Sequence, residues 1–178
     1  MNSAATHGTL LATIDGTAMR HAAPHPAPEE QPRIRRTADL LGGMRVFHRR
    51  LAGPLDVHHA ISRGFPARAL TSLLSKVGLL RKQDLLENAV GMSVRTVQRL
   101  KKTPNRSLSA EQSGRTWQFA EVLTKATEVL GSQEDAEEWL LKPAIGLDRQ
   151  RPLDLLGTPA GAKLVEEYLG RLEYGVYA

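Results

Sequence analysis

The stretch Gly91-Met92-Ser93-Val94-Arg95-Thr96-Val97-Gln98-Arg99-Leu100-Lys101-Lys102 holds the side chains best suited to recognition chemistry. Val94, Val97 and Leu100 recur every third residue, which sets them on one face of a helix and turns Arg95, Thr96, Gln98, Arg99 and Lys102 outward. An arginine fork pairs bidentately with guanine and glutamine with adenine, while Ser93, Thr96, Lys101 and Lys102 suit phosphate oxygens. That is the chemistry of reading duplex DNA. The competing view is a solvated cationic helix in an ordinary helical hairpin, which the glycine turn and the local charge disfavour.

Other chemistries fit poorly. All six histidines lie within residues 1–59, and His21 and His25 have a metal-like spacing that Pro24 prevents from sharing a helix face. His58 and His59 beside Asp56 read as helix surface rather than a ligand set. The string Gly157 to Leu164 imitates a phosphate loop, but only three residues separate its glycines, and Ala162 stands between Gly161 and Lys163. No nucleophile is oriented by a base, and no carboxylate pair has a reason to share a cleft. We therefore expect no catalysis, no metal and no cofactor.

The elements that must position these residues are helical. Lys82 to Val90 forms a helix with Leu85, Leu86 and Ala89 inward, Gly91-Met92-Ser93 turns, and Ser93 caps the helix from Val94 to Lys101. This is the layout of a helix–turn–helix, whose second helix enters the major groove. Upstream, Leu55 to Ser62 predicts a short helix closed by Gly64, and Pro66 opens another with Leu70, Leu73, Leu74 and Val77 on one face. Downstream, Ser109 with Gln112 is a capping-box pair, followed by the stripe Phe119, Ala120, Leu123, Ala126 and Leu130 up to Gly131. Ser132 then caps an acidic helix with Ala136, Trp139 and Leu140 inward. A loop is expected from Ala144 to Leu156. Thr158-Pro159 opens the last helix, with Leu164, Val165, Tyr168 and Leu172 on one face before Gly175.

Composition sets the outer bounds. With 178 residues, 41% hydrophobic and 24% charged, the chain builds one domain or two small ones. The absence of cysteine removes disulfides and thiolate sites, and points to a reducing cytoplasm. No run approaches the roughly 18 apolar residues of a membrane span, and no export signal is evident, so no membrane partner is expected. The net charge of +5 divides unevenly: +3 over residues 1–64, +7 over 65–109 and −5 over 110–178. A basic module that meets a polyanion and a C-terminal module with another task follow from that asymmetry. Residues 1–36, rich in proline and small residues, are expected to be a disordered arm whose deletion leaves stability unchanged. Residues 37–54 are apolar enough to order, but Gly42-Gly43 leaves their state open.

From about Leu55 to Ala178 the sequence resembles the MbcA/ParS/Xre antitoxins. The resemblance rests on GMSVRTVQRLKK, on LSAEQSGRTWQFAEVLTKATEVLG with EDAEEWLLKP, and on RPLDLLGTPAGAKLVEEYLGRLEYGVYA. It implies an all-α fold: a helix–turn–helix DNA-binding half, residues 55–109, followed by a helical toxin-binding half, residues 110–178. It further implies a RES-domain toxin that consumes NAD as partner, and autorepression of a shared operon. Gly114 departs from the Asp or Asn common in the family and weakens the start of the long helix.

On that resemblance, operator DNA is contacted through Ser93, Arg95, Thr96, Gln98, Arg99, Lys101 and Lys102. A homodimer on an inverted repeat is expected, because one recognition helix makes too few contacts. The toxin is expected to meet a surface formed or supported by Trp139, Leu153 and Leu155, of which Trp139 and Leu155 read at least as well as core, and the terminal run Glu173, Tyr174, Gly175, Val176, Tyr177 and Ala178. That run either plugs the toxin's cleft or folds back as a cap on the last helix. A stand-alone DNA-binding regulator or ParS-like organiser, self-associating through its C-terminal half, is the alternative.

Overall fold

The computed structural model describes residues 30–175, with side chains from Pro32 onward. In chain order its helices are α1 (Glu30–Leu40), α2 (Met44–Phe47), α3 (Pro54–Arg63), α4 (Ala67–Lys76), α5 (Gln83–Val90) and α6 (Val94–Lys101). There follow α7 (Ala110–Leu130), α8 (Gln133–Leu141), α9 (Pro152–Leu155) and α10 (Pro159–Glu173). Among the described residues there is no strand; two isolated bridges, Pro66 with Ser107 and Ala144 with Gln150, pin loops together.

The organising element is α7. Ser109 Oγ accepts from the Gln112 amide (3.1 Å) while Gln112 Oε1 accepts from the Ser109 amide (3.1 Å), so the capping box read from sequence is complete. Because Ser113, Thr116, Trp117, Phe119, Ala120, Val122, Leu123, Thr124 and Ala126 are all buried, α7 faces protein on most sides. It contacts α1, α3, α5, α8 and α10. Its buried hydroxyls are satisfied: Ser113 Oγ accepts from the Phe65 amide (2.8 Å), and Thr116 and Thr124 donate to the carbonyls of Gln112 (2.7 Å) and Ala120 (2.8 Å). Gly114 sits within this unbroken helix.

The structure corrects the expected N-terminal arm, which does not reach residue 36. Helix α1 begins at Glu30, and Ile34, Thr37, Ala38 and Leu41 are buried at helical spacing. The arm boundary cut that stripe in two, which hid its period. Arg33 bridges Glu128 (2.6 Å) and Glu173 (3.1 Å), Arg36 also reaches Glu128 (2.7 Å), and Thr37 donates to Thr124 (3.2 Å). Deleting residues 1–36 would therefore remove packed helix and cannot be neutral. Residues 1–29 lie outside the described residues.

Segment 37–54 is ordered as well. Val46 and Leu51 are buried, and Phe47 packs edge-on against Phe65 at 5.1 Å. The region expected to be a loop, 144–156, contains a 3₁₀ turn (Ile145–Leu147) and α9, which Pro152 opens.

Candidate functional site

The first candidate surface is α6 and its cap. Helix α5 ends at Gly91, whose φ of 67° is left-handed and whose missing Cβ leaves room for the Arg115 guanidinium. Met92 is buried in the turn. Ser93 Oγ then accepts from the Thr96 amide (3.3 Å) and lies 3.0 Å from the Thr96 hydroxyl. Val97 and Leu100 are buried, with Val94 half-buried. Anchored in this way, the helix presents Arg95, Gln98, Arg99, Lys101 and Lys102 to solvent, as the spacing requires. Thr96 is half-buried, so the hydroxyls of Ser93 and Thr96 already serve the helix start. All seven expected DNA-facing residues are brought together on one helix and its cap.

The second candidate surface lies in the C-terminal half, where the expected residues scatter. Leu153 is fully buried in the core, so it supports a surface without touching a partner; this corrects its placement on the docking face. Short helix α9 turns Leu153 inward against α8, α5 and α10, a direction that its isolated sequence could not disclose. Leu155 is half-buried. Trp139, also half-buried, stacks on Tyr168 with ring centroids 6.2 Å apart and planes at 10°. Glu173 is engaged by Arg33 of α1 and is no longer a freely offered carboxylate. Tyr174 is 74% exposed, so its ring does not cap α10, and Gly175 is exposed too. Val176, Tyr177 and Ala178 lie outside the described residues.

Sequence reasoning missed two apolar residues here. Ile145 is 87% exposed and Leu164 is 52% exposed. Leu164 was expected on the inner face of α10, but Gly161, Ala162, Val165 and Leu169 take that face instead. Leu164 stands one turn before Tyr168, so the two share a face. Gly146, next to Ile145, lies so close to the Tyr168 ring that no Cβ would fit. Arg171 covers that ring at 5.5 Å. Ile145, Leu164, Tyr168 and the Trp139 beneath thus form one patch, with Tyr174 near the end of the same helix.

Two family models match this arrangement in chain order. The antitoxin Xre-like helix-turn-helix domain matches residues 56–121, and the antitoxin Xre/MbcA/ParS C-terminal toxin-binding domain matches residues 125–175. A protein named Antitoxin Xre from Photorhabdus laumondii is 30% identical over 126 residues, covering 70% of this chain and 82% of that relative. The chain belongs to the Xre/MbcA/ParS antitoxin family. Antitoxin Xre of Yersinia enterocolitica is 29% identical over 152 residues, 76% of this chain and 100% of the relative. Antitoxin Xre of Pseudomonas putida is 29% identical over 126 residues, 70% of this chain and 76% of the relative. The Xre-family chain thus carries a helix–turn–helix domain and a toxin-binding domain in series.

The two matched regions meet inside α7, whereas the sequence placed the boundary at Ser109-Ala110. One helix therefore serves both halves. Its Arg115 donates to the Asn88 carbonyl of α5 (3.2 Å) and to the Gly157 carbonyl before α10 (3.0 Å). Asn88 in turn donates to Asp154 of α9 (3.1 Å). Helices α1 and α2 precede both matched regions.

Among the described residues no group of three or more histidine, cysteine or acidic side chains could hold a metal. His48 instead lies against the Arg68 guanidinium, with His58 and His59 exposed on α3. No helix among the described residues is long and apolar enough to cross a membrane.

Proposed function

We propose that this Xre-family chain neutralises a RES-type, NAD-consuming toxin by direct binding and represses its own operon in the cytoplasm. The observation that carries this reading is the separation of two unlike surfaces on one rigidly capped frame. One is the cationic outer face of α6; the other is the apolar patch of Ile145, Leu164 and Tyr168 on the toxin-binding domain. Exposed apolar clusters rimmed by charge suit a protein partner. Arginine and glutamine on a helix capped at its N-terminus suit base edges. A homodimer on an inverted repeat with half-sites about one helical turn apart, roughly 34 Å, supplies the second recognition helix. The terminal run from Tyr174 is the segment that meets the toxin's cleft.

Co-expression with the adjoining gene tests the reading. We expect the full chain to restore growth and to co-purify with the toxin. A chain ended after Glu173, which keeps the Arg33 pair, should still bind its promoter while growth stops. Normal growth with that truncated chain would move neutralisation off the terminal run and onto the Ile145 patch. Failure of the full chain to rescue growth or co-purify would remove the toxin assignment.

A further inference from the structure

Three clefts adjoin one another from α6 toward α1. The first, about 340 Å³, is lined by Thr96 and Arg99 of α6 and by Arg106 and Gln112. The Pro66–Ser107 bridge joins it to a second, about 330 Å³, lined by Arg49 and Arg63. Arg49 also lines the third, about 690 Å³, together with Arg35, Arg36 and Arg50. No carboxylate lines the first two clefts, and Asp39 alone lines the third. Arg68 ties the run together by donating to Asn105 Oδ1 (3.5 Å) after α6 and to the Val46 carbonyl (3.3 Å) in α2. Arg36 and Arg49 are paired, with Glu128 (2.7 Å) and Asp56 (3.5 Å) respectively. Arg35, Arg50, Arg63 and Arg106 are exposed.

We propose that this arginine-lined track is an accessory surface for the DNA backbone, so that α1, α2 and the segment after them lengthen the contact made by α6. The inference rests on the reading of α6 as the recognition helix, with which the first cleft is continuous through Arg99. Guanidinium groups in open clefts match phosphate oxygens and carry no base code. The aromatic rings near the track, Phe47 and Phe65, are half-buried and buried, so they offer no stacking platform for single strands. A duplex backbone is the partner that fits. Helix α1 and the segment after α2, which precede the matched regions, thereby gain a role: they supply Arg35, Arg49 and Arg50 beyond the Arg99, Arg106 and Arg63 of the helix–turn–helix domain.

The test is a mobility-shift titration at several salt concentrations with two probes, a duplex from upstream of the chain's own gene and a scrambled duplex of equal length. Every phosphate that the protein ceases to neutralise should lower the slope of log affinity against log salt by about 0.9. For Arg50→Gln with Arg63→Gln we expect the slope to fall by about 3.6 on both probes, two contacts being lost from each protomer of the dimer, with the preference for the native probe unchanged. Arg50→Lys with Arg63→Lys should restore the slope, which separates loss of charge from loss of fold. An unchanged slope in the glutamine pair overturns the track, as does a lysine pair that fails to restore it. Arg95→Ala with Arg99→Ala reads the other assignment: that pair should abolish the preference for the native probe, and if the preference persists, α6 is not the reader whatever the slopes show.

Discussion

The two candidate surfaces are built by opposite means. On α6 the outward side chains are charged or polar and the buried ones are Val97 and Leu100, so outward and inward residues differ in type. On α10 the outward set is mixed: Lys163, Glu167 and Arg171 are exposed, yet so is Leu164 at 52%, while the apolar Val165 and Leu169 are fully buried. A helix that meets DNA advertises its outer face by composition. Where an apolar residue such as Leu164 also lies outward, its type does not reveal its side, and the seat of the helix against α7 decides which apolar residue is outer.

Substitutions test this contrast, starting with leucines that look alike in sequence. Leu153→Ala should cost about 2–5 kcal/mol of stability, the range for emptying a fully buried leucine site. It should impair DNA and toxin binding together, read by chemical denaturation and both binding assays. A melting midpoint equal to the parent chain would mean that Leu153 is not core. On the charged surface, Arg95→Ala and Arg99→Ala should each weaken operator binding by about 1–3 kcal/mol if the guanidinium reads a base. Lys102→Ala should mainly reduce the salt dependence.

The protein-facing surface should respond separately. Ile145→Asp or Leu164→Asp should weaken toxin binding by about 1 kcal/mol or more, with unchanged melting and promoter affinity, because neither side chain is buried. Calorimetric titration against purified toxin checks this; equal affinity would empty the patch of function. Gly114→Ala should raise stability by about 0.4–1 kcal/mol. The added Cβ meets only Ile61 Cγ2 at 3.8 Å, an ordinary contact, and the capping box already fixes the helix start. A lower melting temperature would show that α3 and α7 are packed more tightly than that distance implies.

The smallest effect concerns acid. Burial pushes the Glu166 carboxyl above its ordinary value, against the opposing pull of Lys125, whose ammonium donates to the Glu166 carbonyl at 2.8 Å. The folded state therefore holds this proton more firmly than the unfolded chain, so the group's penalty on folding grows as pH rises through the unfolded value and is complete above the folded one. Glu166→Gln should raise the melting temperature modestly at neutral pH, and the gain should vanish below the ordinary value of 4.5. A difference that does not vary with pH would assign the change to packing.

Residue types and their spacing specify the helix–turn–helix, the caps at Ser93, Ser109, Ser132 and Thr158, and the outward set on α6. All of these are local: a cap needs one side chain and an amide three residues on, and a recognition face needs one helical period. Tertiary structure alone decided the rest. Ile34, Thr37, Ala38 and Leu41 become a buried stripe only because α7 lies beneath them, and Arg33 finds Glu128 and Glu173 only because α10 ends beside α1. Leu153 and Leu164 exchange their expected places for the same reason. Apolar side chains have no directional chemistry to declare which neighbour will cover them, so burial is settled by what packs against the helix and not by the helix's own residues.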